Sequence, residues 1–211
     1  MIGASTMAGL ASLRSGCGIT RIVLSPGTLL TSSSLEIMQN VFSSSEETIS
    51  FLKKEFKRSS ALIFGPGMGL GDLSREVLRT ILPLITSPCV IDGDALTVIA
   101  EENLTIPKQV ILTPHYGEMK RLLGGADFSL LEGIDSIQKY SNKSGAVIVF
   151  KGPVTQIFIP EEKPLLVCNG TPAMAKAGSG DVLAGIIASF LAQGCETKQA
   201  AIIGCYLHGL C

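Results

Sequence analysis

Tryptophan is absent from this chain and charge is scarce: Asp, Glu, Lys and Arg make up 17% of its 211 residues, against 46% hydrophobic residues. The formal net charge is −1 and no basic stripe exists, which argues against nucleic acid as a partner. The one dense run, Lys53-Lys54-Glu55-Phe56-Lys57-Arg58, has an acid interleaved and reads as a solvated helix face. The six cysteines form no C-x-x-C pair, and there are only two histidines. A protein-built metal site and a disulfide framework are therefore not expected, and a reducing, cytoplasmic setting is. Met1 is not followed by a charged region and a cleavage site, so no signal peptide is expected. The uncharged run Val182 to Cys195 is too short and too rich in glycine to span a bilayer, so no membrane is expected either. That apolar content points instead to burial in the fold or between subunits, giving a homo-oligomer, with a tetramer as one form.

What the chain does have is alternation. Short β-rich runs recur at Ile19–Leu24, Ala61–Phe64, Cys89–Ile91, Val110–Leu112 and Ala146–Phe150. Helical patterning lies between them. Ser44 with Glu47 resembles a capping box for a helix reaching about Lys57, and Asp72 reads as the cap of a helix ending before Pro83. Ala95–Glu101 and Gly117–Leu123 read as short helices, Ser129–Ser141 and Asp181–Gln193 as longer ones. Thr155–Ile159 and Leu165–Val167 read as an appended antiparallel hairpin. The expected fold is α/β: a three-layer α/β/α sandwich with a mostly parallel sheet, in one domain over residues 1–211.

Most strands run into a polar or glycine-rich signal. The loops are Gly65-Pro66-Gly67-Met68-Gly69, Asp92-Gly93-Asp94, Thr113-Pro114-His115-Tyr116-Gly117-Glu118 and Lys151-Gly152-Pro153-Val154-Thr155. In open parallel sheets ligands bind outside the carboxyl ends of the strands, so four such loops make a site there plausible. The glycine loop lacks both G-x-G-x-x-G spacing and a Walker lysine, and taken alone it reads as a tight turn. Asp94 reads first as a helix cap, while Asp92 stays open, with Mg²⁺ binding through water as one role for the pair. Lys151, at the end of a buried strand, requires an anion, and a phosphate would serve. His115 reads as a functional loop histidine, Glu118 as a helix cap, and His208 as a packing residue in the apolar stretch Ala200–Leu210.

The most informative segment is Gly178-Ser179-Gly180-Asp181, opening the apolar helix Val182-Leu183-Ala184-Gly185-Ile186. A helix start offers free N–H groups and positive potential, and glycines let a phosphate approach. Asp181 then has two readings: a base beside a bound phosphate, or a helix cap.

These motifs in this order resemble the ADP/ATP-dependent NAD(P)H-hydrate dehydratases of the ribokinase-like superfamily. The resemblance rests on Gly65–Gly69, Ile91-Asp92-Gly93-Asp94-Ala95-Leu96, Leu112–Glu118, Val149-Phe150-Lys151-Gly152 and Ala177–Gly185. It implies repair of hydrated NADH or NADPH: a nucleotide phosphate activates the ring hydroxyl, and elimination restores the cofactor. It implies ADP (or ATP) as co-substrate, with Mg²⁺, and AMP and phosphate as products. Asp181 is implied as the catalytic base, and Gly178 and Gly180 with Ser179 as the anion-binding turn. Lys151, Gly152, Pro153, Val154 and Thr155 are implied as nucleotide contacts. Ala4, Gly67, His115 and Asp181 are implied to line the hydrate. The family pattern usually has a strand before Ile2-Gly3-Ala4 and a terminal helix after His208-Gly209-Leu210-Cys211. Two further departures are Ala173 in place of a glycine, and Lys176 in place of a small or hydroxyl residue.

Overall fold

A computed structural model describes residues 2–24 and 35–211; Met1 lies outside them. The chain runs α1 (Ile2–Arg14), β1 (Arg21–Leu24), β2 (Met38–Val41), α2 (Ser45–Glu55), β3 (Leu62–Phe64), α3 (Asp72–Ile81), β4 (Cys89–Ile91) and α4 (Gly93–Glu102). It continues through β5 (Val110–Leu112), α5 (Tyr116–Leu122), α6 (Leu130–Ser144), β6 (Val147–Phe150), β7 (Thr155–Phe158), β8 (Leu165–Val167), α7 (Ser179–Ala192) and α8 (Thr197–Leu210). Short 3₁₀ turns follow α3 and precede α7.

One sheet has the order β3-β4-β5-β6-β7-β8. Its first four strands are parallel, and β7 and β8 add the expected antiparallel hairpin. Strands β4, β5 and β6 are buried throughout, as expected of a sheet covered on both faces. Alternation along them divides the core. Cys89, Ile91, Leu112, Ile148 and Phe150 pack with Leu78 and Ile81 of α3, Leu96 of α4, Met119 of α5 and Ile137 of α6. Val90, Ile111, Val147 and Val149 pack with Leu183 and Ile187 of α7 and Ala201 and Cys205 of α8. The three layers follow from that division.

Strands β1 and β2 form a separate parallel pair, with Ile22, Leu24 and Ile37 in a small core of their own. A cleft of about 960 Å³ separates β1 from β3, lined by Ile22, Leu24, Leu62, Phe64 and Val77 among others. Sequence periodicity did not reveal α1 or β2. Helix α1 is built from small residues, and its stability comes from packing on α7. There a Cβ on Gly185 would run into the Ala8 carbonyl oxygen and lie 2.8 Å from Ala11 Cβ. The Ser12 hydroxyl donates across that contact to Gly185 O at 3.0 Å.

Two cap assignments change. Ser44 does cap α2, accepting from Glu47 N–H, but the Glu47 carboxylate turns to Ser43 N–H (2.9 Å), so the reciprocal box is not closed. Gly71 is the cap of α3, and Asp72 lies inside its first turn.

Gly185→Val should force α1 away from α7, an overpacking cost of about 1–3 kcal/mol and a Tm lower by roughly 2–12 °C. Gly3→Ala is the matched control: nothing lies within 4 Å of its Cβ and it sits inside a helix. Alanine there should stabilise by up to about 1 kcal/mol. Thermal melts of both variants check the pair.

Candidate active site

Because β3 to β6 are parallel, their four following loops emerge at one edge of the sheet. Ladder bonds continue past the strands and hold the loops in a row: Asp92 N–H donates to Phe64 O (2.9 Å), Thr113 N–H to Ile91 O (3.1 Å) and Lys151 N–H to Pro114 O (2.9 Å). His115 and Lys151 are joined by a parallel bridge. Gly65 has φ +113° and its Cβ position is filled by the Asp92 carbonyl oxygen, so only glycine brings this loop against the end of β4. Gly69 N–H donates to Asp94 Oδ2 at 2.7 Å. Asp94 is thus the tie that holds the glycine loop, not the cap of α4. The cap position belongs to Asp92, whose side chain makes no capping bond.

The Asp92 carboxylate is buried and engaged elsewhere through its Oδ1. Its Oδ1 accepts from Thr113 Oγ1 (2.7 Å) and from Lys151 Nζ (2.6 Å). The anion that Lys151 requires is therefore supplied by the protein itself. Glu118 lies 4.0 Å from the same ammonium, accepts from His115 N–H at 2.7 Å, and is likewise buried. Burial raises the Glu118 pKa, and the positive charge of Lys151 opposes that rise. His115 closes a capping box: its Nδ1 accepts from Glu118 N–H at 3.2 Å. A neutral His115 is thereby the Nε2–H tautomer, with an exposed ring. The cap and function readings of His115 and Glu118 are compatible, since the cap orients the ring.

Gly178 is the cap of α7, with φ +87°. Met7 of α1 occupies the place a Gly178 side chain would take. Ser179 N–H donates to Lys176 O (3.2 Å), but the N–H groups of Gly178, Gly180 and Asp181 have no partner among the described residues. Lys151 Nζ lies 3.1 Å from where a Gly180 Cβ would stand, so the ammonium flanks this open turn. Asp181, at the third helical position, makes no side-chain cap bond, which removes the cap reading. Its pKa is raised, first by burial and then by the charges of Asp92 and Asp94, with Lys151 opposing. The arrangement joins free donors, a cation and an unbonded carboxylate around one helix start. It can bind an anion and accept a proton beside it.

The profile of the NAD(P)H-hydrate dehydratase family matches residues 1–211. The chain belongs to this family. It is 37% identical over 164 residues to the ADP-dependent (S)-NAD(P)H-hydrate dehydratase of Lactococcus lactis, covering 75% of this chain and 58% of that protein. It is 33% identical over 221 residues to the bifunctional NAD(P)H-hydrate repair enzyme of Moorella thermoacetica, covering 99% of this chain. It spans only 42% of the length of that relative. Among solved structures, the Bacillus subtilis ADP/ATP-dependent NAD(P)H-hydrate dehydratase, co-crystallised with ATP and Mg²⁺, superposes with a TM-score of 0.77 at 28% identity. That match covers 99% of this chain and 74% of the other. The fold is accordingly ribokinase-like.

The family motifs converge unevenly. Lys151, Gly180 and Asp181 meet at the start of α7, with His115 bridged to Lys151. Gly152, Pro153 and Val154 are exposed beside them, and Thr155 begins β7. Ala4 lies one turn before Met7 on α1. Gly67 faces the cleft between β1 and β3, which includes neither His115 nor Asp181. Ala173 is exposed and needs no positive φ, and Lys176 is exposed as well. Sequence reasoning did not anticipate that Thr113 bonds Asp92, that Met7 backs Gly178, or that His208, read as a packing residue, has its Nε2 3.2 Å from Ser179 Oγ. No local signal marks these contacts, because each residue meets its partner across the fold. Among the described residues no cluster of three or more His, Cys, Asp or Glu side chains could hold a metal, and Asp92 and Asp94 are each bonded already.

Asp181 provides a test of these electrostatics. A raised folded-state pKa means that the folded protein binds the proton more tightly than the unfolded chain, so stability falls as pH rises through that window. Asp181→Asn carries no charge at any pH. It should melt above the wild type at neutral pH, with the difference vanishing under acid conditions that protonate Asp181. Thermal melts across pH check this; equal curves would mean that the ionised carboxylate is unstrained.

Proposed function

We propose that residues 1–211 act as one domain with ADP-dependent (S)-NAD(P)H-hydrate dehydratase activity. The observation that carries this reading is the unbonded, pKa-raised Asp181 carboxylate beside the free N–H groups of Gly178, Gly180 and Asp181. The family relationship and the curated activity of relatives such as the Lactococcus lactis enzyme support it. A vitamin-precursor kinase would use the same α7 turn, but the Thr113–Glu118 loop, with His115 held by Glu118, favours the nicotinamide hydrate.

In the proposed reaction Asp181 takes the proton from the ring hydroxyl of the hydrate. That oxygen bonds to the terminal phosphorus of the nucleotide, and the bond to the departing AMP breaks. The N–H groups of the α7 turn and Lys151 hold the phosphoryl oxygens as charge shifts between them. Phosphate then leaves with its oxygen as the ring carbon–oxygen bond breaks. A proton is lost from the neighbouring ring carbon, and the double bond of NADH or NADPH is restored. Gly152 to Val154 offer an exposed surface for the nucleotide, and the exposed His115 ring, whose Nε2 lies 3.5 Å from Glu118 Oε1, can meet the hydrate. Mg²⁺ would add counter-charge on the phosphates, held by them rather than by a resident cluster of side chains.

Cytoplasmic operation fits six free cysteines, and no helix among the described residues is long and apolar enough to cross a membrane. The reading extends to a homo-oligomer. On α8, Ile203, Tyr206, Leu207 and Leu210 share one face at helical spacing and all are exposed. Light scattering at micromolar concentration should show more than one subunit; a monomer would remove this part of the reading.

The activity test is Asp181→Asn with chemically prepared NADH hydrate and ADP, followed by the near-ultraviolet absorbance of the restored nicotinamide. Loss of the base should slow repair by ~10²–10⁴-fold. ADP binding should survive, since the backbone donors remain. For the wild type, kcat/KM should fall as acid protonates Asp181, beginning above the usual carboxylate range because its pKa is raised. A variant that binds ADP and repairs hydrate at the wild-type rate would overturn the assignment.

A further inference from the structure

Residues 168–178, between β8 and α7, form the approach to the anion-binding turn and are mostly exposed. Their own hydrogen bonds are short-range turns: Met174 N–H to Thr171 O, Ala175 N–H to Pro172 O and Lys176 N–H to Met174 O. Two side chains tie the ends of this stretch to the rest of the fold, and both reach the last turns of α8. At the near end, Asn169 Nδ2 donates to Tyr206 O at 2.7 Å, and the Asn169 amide packs where a side chain on Gly209 would stand. At the far end, Ser179 Oγ lies 3.2 Å from His208 Nε2. Helix α8 is itself seated tightly on α7, because a Cβ on Gly204 would crowd Ile187.

Ser179 differs from its neighbours. Its N–H is spent on Lys176 O, so its hydroxyl is what it can offer an anion. His208 is half-buried, and burial lowers its pKa against an opposing hydrogen bond with Ser179, which favours the neutral imidazole. A neutral imidazole protonated at Nε2 donates to Ser179 Oγ and leaves the hydroxyl hydrogen for a phosphate oxygen. The other tautomer would draw that hydrogen away from an anion.

We propose that His208 is a positioning residue: its Nε2–H holds Ser179 Oγ, fixes the far end of the 168–178 stretch and aims the Ser179 hydroxyl at the nucleotide phosphate. This rests on the nucleotide reading given above, and it reassigns a histidine whose surroundings in sequence suggest packing alone.

The test compares wild type with His208→Leu, His208→Gln, Ser179→Ala and the His208→Leu/Ser179→Ala double variant. ADP binding is measured by calorimetry, kcat and KM with NADH hydrate, and folding by thermal melts. Loss of one oriented hydrogen bond should raise the Kd and KM for ADP by about 3- to 10-fold in His208→Leu, with kcat and Tm changing much less. His208→Gln should recover most of that affinity, since its amide can donate to Ser179 Oγ. Ser179→Ala should match His208→Leu, and the double variant should be no weaker than either. Wild-type affinity in His208→Leu, failure of His208→Gln to recover, or losses that multiply in the double variant would each overturn the proposal. Nitrogen-15 NMR of the imidazole decides the tautomer without nucleotide. An Nε2–H ring is expected, and an Nδ1–H ring would overturn the proposal even if ADP binds. Wild-type protein that shows the Nε2–H ring but binds no ADP would refute the nucleotide reading instead.

Discussion

The ion pair between Lys151 and Asp92 is the contact on which the sheet edge depends. It joins the ends of β6 and β4 across β5, and Thr113 of the β5 loop bonds the same carboxylate oxygen. Both groups are largely withdrawn from water. Removing one partner of such a pair typically costs about 3–5 kcal/mol, because the remaining charge is stranded. The pair also sets the field of the site. Lys151 carries its ammonium to the first turn of α7, where it opposes the rise in the Asp181 pKa, while Asp92 reinforces that rise. One contact thus places a cation at the open start of α7 and helps to set the electrostatics of the adjacent Asp181 carboxylate.

Close backbone approach is the second theme, and it explains the small residues. Gly65 lets its loop lie against the Asp92 carbonyl, and Gly185 lets α1 reach α7. Through that second contact α1 delivers Met7 to Gly178, so the turn is backed by a helix from the opposite end of the chain. The gap between β1 and β3 is bordered by α1 and by Gly65, but not by Gly178, Asp181 or His115. The cleft and the start of α7 are different places, with α1 and the Gly65–Gly67 loop lining the first and, through Met7 and Asp92, reaching towards the second.

The division of labour around α7 follows from geometry. Gly178, Gly180 and Asp181 present N–H groups, Ser179 presents a hydroxyl against His208, and Asp181 presents a carboxylate without a bond. A carboxylate that capped its own helix would be stabilised as the anion and would be a poorer base. Placing the cap on Gly178 leaves Asp181 free, at a cost in electrostatic stability of the kind expected at a catalytic centre.

Much of this was legible in the sequence because it is local. Runs such as Cys89–Ile91 and Val110–Leu112, rich in β-branched residues, read as buried strands, and Gly, Pro and Asp after each run mark where the chain turns. The Ser44 cap of α2 and the loop His115 to Glu118 likewise depend on neighbours three residues apart. By itself the sequence therefore determined the alternation of strands and helices, the loops that gather at one edge, and Asp181 at the start of an apolar helix. Tertiary structure alone decided which anion meets Lys151, what Asp94 ties down, that α1 forms against α7, and that His208 reaches Ser179. Each of these joins residues at least 25 positions apart, and the Ser12–Gly185 bond between α1 and α7 spans 173. Charge pairing and close packing over such separations depend on where strand order and helix crossings bring the chain in space, and no periodicity in the sequence encodes that.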